Sequence, residues 1–326
     1  MRVAIVGAGG WGKNHVRTFC SILGNDAVVV CDPDPAKLDD ARAGYPGIET
    51  RNRPSYEGID AAVIAAPAAL HYQLAKDALA AGVHVLVEKP MTLKSAEAEE
   101  LVRLAEDRDR ILMVDHLLEY HAAVVRLKEL VDEGHLGRLL HLTSRRLNLG
   151  VVRTEENALW SLAPHDISVI LLLLGEEPIE LRAQGATFLQ DGIPDIAYLT
   201  MRFGSGALAH VHASWLDPIK VRALTVVGEK GMAVFDDVSP DKLTLFDAKA
   251  DCEGARYVPR RDGEKVIACD AAEPLRAVAE AFLESVDTGR PPLADGRDGL
   301  RVVRVLEGAQ RSLDRGGEAV PIGGSQ

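Results

Sequence analysis

The first residues with recognisable chemistry are the glycines of a turn near the amino terminus. Met1–Val6 is apolar and rich in β-branched residues, and Gly7-Ala8-Gly9-Gly10-Trp11-Gly12 follows it before a helix-like pattern begins. Strand, G-x-G-x-x-G turn and helix in this order are typical of a dinucleotide site, in which the pyrophosphate lies on free N–H groups of the helix. Gly7 permits the tight turn, Gly9 lets the backbone approach the pyrophosphate, and Gly12 allows close packing of helix on strand.

The glycines alone also fit an ordinary turn, but Asp32 adds a second feature. It follows the apolar segment Ala27–Cys31, at the distance where an acidic side chain accepts hydrogen bonds from the ribose hydroxyls. The same carboxylate would repel a 2′-phosphate, and neither lysine nor arginine follows it immediately. The sequence therefore predicts a dinucleotide site that takes NAD in preference to NADP.

Glu88-Lys89-Pro90 is the second stretch that could carry chemistry. It terminates the apolar segment His84–Val87, and parallel α/β sheets bind ligands at the carboxyl ends of their strands. Lys89 could donate a hydrogen bond to a hydroxyl or carbonyl group, and Pro90 would fix the local backbone. A strand that simply ends in a charged turn explains the same residues, so both interpretations stay open.

Pro164-His165-Asp166 is the third stretch, at the start of the apolar helical segment Ile167–Leu174. The positive end of the helix dipole disfavours a charged imidazole, so His165 would stay neutral near pH 7 and could act as a general base. A structural histidine is the alternative. The neighbouring Asp166 and the exposure that a helix start usually has favour the catalytic interpretation.

Positive charge is concentrated locally in Arg145-Arg146-Leu147-Asn148-Leu149-Gly150, with Arg153 close behind. Arginines at such a place could bind a phosphate or carboxylate with two hydrogen bonds each. A solvated strand edge is the equally simple alternative.

Composition limits the classes of function. The chain has 326 residues and a net charge of −12, which argues against a general nucleic-acid or membrane-surface role because such roles need a basic face. The four cysteines show no metal-ligand spacing, so we expect them to be reduced and predict no metal site. No secretory signal precedes the first strand and no apolar segment could span a bilayer, so we expect a cytoplasmic protein.

The pattern of predicted strands and helices that must position these residues changes near residue 118. Up to that point strands and helices alternate, with strands such as Ile59–Ala66 and helices such as His71–Ala81 and Ser95–Arg108. Regular alternation predicts an α/β Rossmann domain, a doubly wound parallel sheet, over residues 1–118.

Residues 119–326 are predicted to form an α+β domain with a large, mostly antiparallel sheet. From Leu139 onward short alternating segments predominate, and Gly204-Ser205-Gly206 between two of them is typical of a hairpin. Predicted helices at Ala158–Leu174, Pro274–Asp287 and Asp298–Arg315 stand apart from the strands. The uncovered face of such a sheet predicts a homodimer or homotetramer assembled through it.

Together these motifs resemble the Gfo/Idh/MocA family of oxidoreductases, which are NAD(P)-dependent sugar and inositol dehydrogenases. The resemblance extends from the glycine turn to Gly228-Glu229-Lys230-Gly231 and includes Glu88-Lys89-Pro90 and His165. The stretches around Asn148, Trp160 and His165 are similar to the branch that oxidises C3 of UDP-N-acetylglucosamine or its uronic acid, ahead of a transamination to 3-amino sugars.

The resemblance implies roles for individual residues. Lys89 and His165 would be catalytic. The cofactor would be contacted by Gly7, Gly9, Gly10, Trp11, Gly12, Asp32, Pro67, His71, Glu88 and Lys89. The nucleotide sugar would be contacted by Lys13, Asn148, Arg153, Asn157, Trp160, His165 and Lys220.

The chain also departs from the family pattern at three positions. Ser161 stands where many members carry an aspartate four residues before the catalytic histidine, which puts an aspartate-assisted relay in doubt. Ala122 replaces a usual proline, and Asp115 replaces a common glycine after the sixth predicted strand. None of these changes removes a residue that the expected chemistry requires.

The expected reaction is hydride transfer from C3 of a UDP-N-acetylglucosamine-type sugar to NAD. His165 would take the hydroxyl proton, and Lys89 would bind the same oxygen. Two rivals remain: a ketoreductase that runs similar chemistry in reverse on a nucleotide-linked keto sugar, and a non-catalytic regulator that binds the dinucleotide. The presence of both Lys89 and His165 argues against the regulator.

Overall fold

The computed structural model describes residues 1–322 and divides the chain into two compact units. The first unit comprises residues 1–120 and 273–303, and the second comprises residues 121–272 together with the chain from residue 304 onward. The carboxyl-terminal segment 273–303 therefore belongs to the same unit as the first 120 residues. The predicted domain boundary at 118/119 stays a prediction.

The first unit contains a six-stranded sheet in which every pair of neighbours is parallel. Its strands are β1 (Val3–Val6), β2 (Val28–Cys31), β3 (Glu49–Arg51), β4 (Ala61–Ile64), β5 (His84–Val87) and β6 (Leu112–Val114). Their order is β3-β2-β1-β4-β5-β6, the order that joins two mononucleotide-binding halves. The prediction of a doubly wound parallel sheet is confirmed.

Successive residues of a strand point to opposite faces of the sheet, and in β1, β2 and β4 all of them are apolar and buried. Helices therefore cover both faces of that sheet. The described residues form nine α-helices: α1 (Gly10–Leu23), α2 (Pro35–Gly44), α3 (Ala68–Ala80), α4 (Ser95–Asp107), α5 (Ala122–Asp132), α6 (Ala158–Leu162), α7 (Pro164–Leu174), α8 (Pro274–Thr288) and α9 (Gly296–Asp314). One buried core joins Val6 and Val87 to Leu101 of α4, and the other joins Ile5 to Phe282 of α8.

No helix among residues 1–322 is long and apolar enough to cross a bilayer.

The second unit contains a nine-stranded sheet. Its strands are β7 (Leu139–Leu147), β8 (Pro178–Ala186), β9 (Ile196–Phe203), β10 (Leu208–Ser214), β11 (Val221–Gly228), β12 (Met232–Asp236), β13 (Leu243–Glu253), β14 (Arg256–Ile267) and β15 (Val320–Pro321). The order is β14-β13-β12-β11-β7-β10-β9-β8-β15. Only β7 and β10 pair in parallel, so the prediction of a mostly antiparallel sheet is confirmed.

Three details of the second unit differ from the sequence-based prediction. The helix predicted over Ala158–Leu174 is two helices, since Pro164 has no N–H to donate and opens the second one, although Ala163 between them keeps helical backbone angles. The predicted strand at Leu243–Phe246 continues to Glu253 and pairs with β14. Strand β14 was missed because it is charged and almost wholly exposed, and so it lacks the apolar face by which strands are recognised.

A buried cluster of charged side chains lies at the end of β6 in the first unit. His116 donates from Nδ1 to Asp298 Oδ2 at 2.8 Å and lies 3.4 Å from Glu119 Oε1. Arg301 donates to the other oxygen of Asp298 at 2.6 Å. Burial opposes the charge of His116, but the two carboxyl groups raise its pKa to about 10. The imidazolium therefore neutralises buried carboxylate charge.

Replacing His116 by glutamine should destabilise the protein by about 3–5 kcal/mol at neutral pH, since it removes the buried cation of the cluster and leaves Asp298 only its contact with Arg301. Because folding raises the pKa of His116, its stabilisation is complete below pH 6.5 and is lost as the pH rises through about 10. Urea unfolding should show the difference between wild type and His116→Gln shrinking over that range. Lys94→Gln, which breaks an exposed pair with Glu97, is the control and should leave the midpoint unchanged. A difference that does not vary with pH would contradict this prediction.

Candidate active site

The glycine turn after β1 has the geometry of a phosphate site. Gly7 has φ 99°, and a Cβ atom on Gly12 would lie 1.9 Å from the Gly7 carbonyl oxygen, so α1 packs directly on the turn. A Cβ atom on Gly9 or Gly10, in contrast, would meet nothing within 4 Å. Gly9 immediately precedes α1, whose first N–H groups have no side-chain cap. Open backbone N–H groups at a helix start fit the pyrophosphate of a dinucleotide.

Asp32 is held in place beside this turn. Its Oδ2 accepts a hydrogen bond from Ala8 N–H at 2.8 Å and its Oδ1 accepts one from Asp34 N–H at 2.9 Å. Lys37 Nζ lies 3.3 Å from the carboxylate. Although burial opposes ionisation, these donors hold the pKa of Asp32 below its usual range. Asp32 is therefore an anion at neutral pH, in the position that suits ribose hydroxyls. The sequence analysis missed Lys37, which α2 brings back to Asp32.

Glu88-Lys89-Pro90 follows β5 directly, and the Lys89–Pro90 peptide is cis. Glu88 is buried and accepts hydrogen bonds from His15 Nε2 at 3.0 Å and from Lys89 N–H at 3.3 Å. Both ring nitrogens of His71 lie 2.8 Å from carbonyl oxygens, those of Pro90 and Ala66. Lys89 itself is half-buried. His71 thus ties the first turn of α3, which Pro67 precedes, to the segment after β5.

His165 is half-buried in the first turn of α7, which begins at Pro164. The adjacent Asp166 is buried and accepts hydrogen bonds from Arg146 Nε at 2.7 Å and from Ser144 Oγ at 2.6 Å. These contacts fasten the start of α7 to β7. Arg146 is paired with Asp166 and is therefore not available to bind an anionic ligand. Anion binding by Arg145, Arg146 and Arg153 was one of the two interpretations of that segment. His165 lies in the second unit and Lys89 in the first.

Two of the predicted substrate contacts have structural partners within the second unit. Asn157 Oδ1 caps α6 by accepting from Trp160 N–H at 3.1 Å, and Asn157 Nδ2 donates to Gln310 Oε1 at 2.8 Å. Trp160 Nε1 donates to the same Gln310 oxygen at 3.1 Å. Both residues therefore stabilise α6 on the carboxyl-terminal part of α9. A substrate role for them remains a prediction.

The other polar residues predicted to contact the substrate are exposed or half-buried, and so is Trp11, which was predicted to contact the cofactor. Lys13 pairs with Asp40 at 2.9 Å, and Arg153 lies 3.7 Å from Glu156. The side chain of Asn148 folds over Gly150, where an added Cβ atom would lie 2.1 Å from its Nδ2. Trp11 is 42% exposed on α1, and Lys220 is exposed between β10 and β11.

Two buried groups beside Glu88 were not singled out as site residues. His15 of α1 reaches the carboxyl ends of β5 and β6, and Asp115 follows β6 there. His15 lies three residues after Gly12 on the same helix, but no local pattern pairs it with a glutamate 73 residues away.

Two family models match the chain. Residues 1–116 match the family model described as an oxidoreductase family with an NAD-binding Rossmann fold, and residues 124–234 match the GFO/IDH/MocA C-terminal domain. Together the two models account for more than two thirds of the chain.

Individual relatives agree over most of their length. The chain is 29% identical to UDP-N-acetylglucosamine 3-dehydrogenase of Acidithiobacillus ferrooxidans over 93% of this chain and 94% of that protein. The solved structure of that dehydrogenase superimposes with a TM-score of 0.84 at 25% identity, covering 97% of this chain and 98% of that one.

Two further relatives are similar over most of their length. Inositol 2-dehydrogenase of Streptomyces avermitilis is also 29% identical, over 88% of this chain and 92% of that protein. A structure from Magnetospirillum magnetotacticum MS-1, described as a proposed oxidoreductase, is 32% identical with a TM-score of 0.80, covering 94% and 98% of the two chains.

Alanine substitutions at Gly9 and Gly12 should act on different properties, the first on cofactor binding and the second on stability. Gly9→Ala should leave the thermal unfolding midpoint unchanged, because the new methyl group meets no protein atom within 4 Å. It should weaken NAD binding by about tenfold or more if the pyrophosphate lies at this turn as the sequence predicts. Gly12→Ala should lower the midpoint itself, since its methyl group collides with the Gly7 backbone. Calorimetric titration with NAD and thermal unfolding measure the two effects. Gly44→Ala, on α2 with open space around it, is the matched control. Wild-type NAD affinity in Gly9→Ala would contradict the assignment.

Proposed function

Because the chain belongs to the Gfo/Idh/MocA family of oxidoreductases, we propose that it oxidises the C3 hydroxyl of a UDP-N-acetylglucosamine-type nucleotide sugar to the 3-keto sugar, with NAD as the oxidant. The observation that carries the proposal is similarity over nearly the whole of both chains to a UDP-N-acetylglucosamine 3-dehydrogenase. Lys89 after β5 and His165 at the start of α7 supply the groups that the reaction needs. The 3-keto product is a suitable substrate for a transaminase.

The cofactor is held by the first unit in this proposal. The backbone N–H groups at Gly9 and Gly10 would bind the pyrophosphate, and the ionised Asp32 would accept hydrogen bonds from the ribose hydroxyls. Lys37 already pairs with Asp32. The positive charge of Lys37 is therefore partly neutralised and attracts a 2′-phosphate less strongly. These features support NAD over NADP.

The chemistry is divided between two side chains. His165 accepts the proton of the C3 hydroxyl, because the amino terminus of α7 favours its neutral form. Lys89 donates a hydrogen bond to the same oxygen and stabilises the negative charge that develops there. When NAD is bound, its nicotinamide ring supplies the acceptor for the hydride that leaves C3. The proton and the hydride together are the two hydrogens lost on oxidation to the ketone.

A neutral sugar is favoured over its uronic acid because most of the candidate arginines already have an acidic neighbour in the protein. A carboxylate at C6 needs an additional cation, and three candidates have acidic neighbours. Arg146 is paired with Asp166, Arg153 lies near Glu156, and Arg222 lies 3.4 Å from Asp237. Arg145 remains as an exposed candidate on β7. We therefore propose UDP-N-acetylglucosamine ahead of UDP-N-acetylglucosaminuronic acid.

The test is NADH formation, followed by its near-ultraviolet absorbance, with UDP-N-acetylglucosamine, its uronic acid and myo-inositol as separate substrates. We expect the neutral nucleotide sugar to give the highest kcat/KM. His165→Ala and Lys89→Ala should each lower kcat by on the order of a hundredfold or more, and His165→Ala should keep wild-type NAD affinity. The exposed Lys94→Gln variant should keep wild-type rates.

Each other outcome of this assay has a defined meaning. Turnover of myo-inositol alone would reassign the substrate to that of the inositol dehydrogenases. No NADH from any substrate, with NADH consumed by a nucleotide-linked keto sugar, would support the reductive alternative. A near-normal kcat in His165→Ala or Lys89→Ala would remove that residue from the catalytic role.

We also propose a homodimer or homotetramer assembled through the second unit's sheet. In β9 the residues Ala197, Leu199, Met201 and Phe203 are buried, whereas Tyr198 between them is 51% exposed. An alternating strand of this kind has one face free to pack against a second sheet. Light scattering at micromolar concentration should give a mass of two or four chains, and a monomer at all concentrations would contradict the proposal. Tyr198→Asp should lower that mass, whereas Lys94→Gln should not.

A further inference from the structure

The carboxyl groups of Glu88 and Asp115 are placed side by side by the ends of two neighbouring strands. Glu88 N–H donates to Ile64 O at 2.9 Å, which continues the pairing of β4 with β5. Asp115 N–H donates to Val87 O at 2.8 Å, which continues the pairing of β5 with β6. The parallel register therefore fixes the two acidic residues next to each other, with Lys89 following immediately.

Both carboxyl groups and the histidine that meets them are buried. The exposed fractions are 0% for His15, 7% for Glu88 and 1% for Asp115. His15 Nε2 lies 3.0 Å from Glu88 Oε1 and 3.4 Å from Asp115 Oδ2. Within residues 1–322, neither oxygen of Asp115 accepts a hydrogen bond. A buried carboxylate that accepts no hydrogen bond is strongly disfavoured, so a neutral Asp115 fits this site better than an ionised one.

We propose that Asp115 is held in its protonated form, donates a hydrogen bond to Glu88, and acts with His15 as a positioning residue for Lys89. The link to Lys89 is the backbone, since Lys89 N–H donates to Glu88 Oε2 at 3.3 Å. A Glu88 carboxylate fixed by three donors therefore fixes the start of the Lys89–Pro90 segment. This inference rests on the proposed function only in assigning Lys89 a part in the reaction.

The charges around Asp115 agree with this arrangement. Burial and the adjacent negative charge of Glu88 raise the pKa of Asp115 to about 7, although His15 of α1 and the neighbouring His116 oppose the rise. Burial also opposes the charge on Glu88, but His15, Lys89 and His71 hold its pKa below the usual range. Ionisation of Asp115 would put two negative charges side by side in a buried site and push Glu88 away.

The first experiment compares kcat of Asp115→Asn with that of wild type at each pH. The asparagine amide donates to Glu88 at every pH, whereas Asp115 stops donating as it ionises through pH about 7. The ratio of variant to wild-type kcat should therefore rise about tenfold between pH 6 and pH 8, with KM for the sugar changing much less. Effects of pH on the reaction that do not pass through Asp115 are common to both proteins and cancel in the ratio. A ratio independent of pH would overturn the positioning role.

Glu119→Gln is the matched control for that experiment. Glu119 is also buried, and its pKa is also raised to about 7, by burial and by the charge of Asp298, although His116 opposes the rise. It belongs to the cluster with His116 and has no bond to Glu88. Its kcat ratio to wild type should stay flat across the same pH range. A tenfold rise in this variant as well would mean that any buried acid has the effect, and would overturn the specific role of Asp115.

Two measurements need no substrate, so they remain valid if the proposed function fails. Infrared spectra should show the carbonyl stretch of a buried protonated carboxylic acid that is present at pH 6, lost near pH 7, and reduced in Asp115→Asn. In thermal unfolding, stabilisation by protonated Asp115 is complete below pH 3.8 and lost as the pH rises through about 7. The midpoint of Asp115→Asn minus that of wild type should therefore increase over this range.

Two outcomes would overturn the protonated state directly. One is the absence of the pH-dependent carbonyl band in Glu119→Gln, in which the other buried acid of raised pKa no longer contributes, a measurement that stands even if Asp115→Asn does not fold. The other is one equivalent of a divalent cation in the purified protein that Asp115→Asn loses, because the ligand atoms of His15, Glu88 and Asp115 lie within 4.8 Å of one another.

Discussion

The first unit depends on the close approach of α1 to the turn after β1. Only hydrogen fits on the Cα atom of Gly12, where a methyl group would lie 1.9 Å from the Gly7 carbonyl oxygen. This contact fixes both ends of the candidate site. The first N–H groups of α1 are left without a side-chain cap at the turn, and the next turn of the helix brings His15 to Glu88 and Asp115. Residue Ala8 of the same turn donates to Asp32.

Buried charge in both units serves orientation more than stability. A buried ion pair gains little over a well-packed apolar contact, but it allows only a narrow range of geometries. Asp166 with Arg146 fixes the start of α7 and thus the residue before it, His165. Glu88 with His15 does the same for Lys89. Each proposed catalytic residue is thus adjacent in the chain to an acid that is held by a buried base.

Much of this could be predicted from the sequence where the signal is local. The glycine turn, Asp32 after β2 and the alternation of strands and helices depend on residues close in the chain, and the structure has them as expected. Contacts between distant segments could not be predicted, because periodicity carries no information about partners. Arg146 is an example, since the sequence left it open as an anion clamp and the structure pairs it with Asp166. Strand β14 was missed because its pairing with β13 requires no apolar face.

The first unit is built from two separate segments of the chain, and this affects how it can fold during synthesis on the ribosome. Phe282 and Val278 of α8 are fully buried in the core that also contains Phe19 and Ile5. A nascent chain that has reached residue 120 therefore has all six parallel strands but lacks α8, one of the helices that cover one face of their sheet. Domains usually fold in order from the amino terminus as they emerge. Here the unit that begins first is complete only after residue 303 has been made, so its sheet lacks part of its cover until late in synthesis.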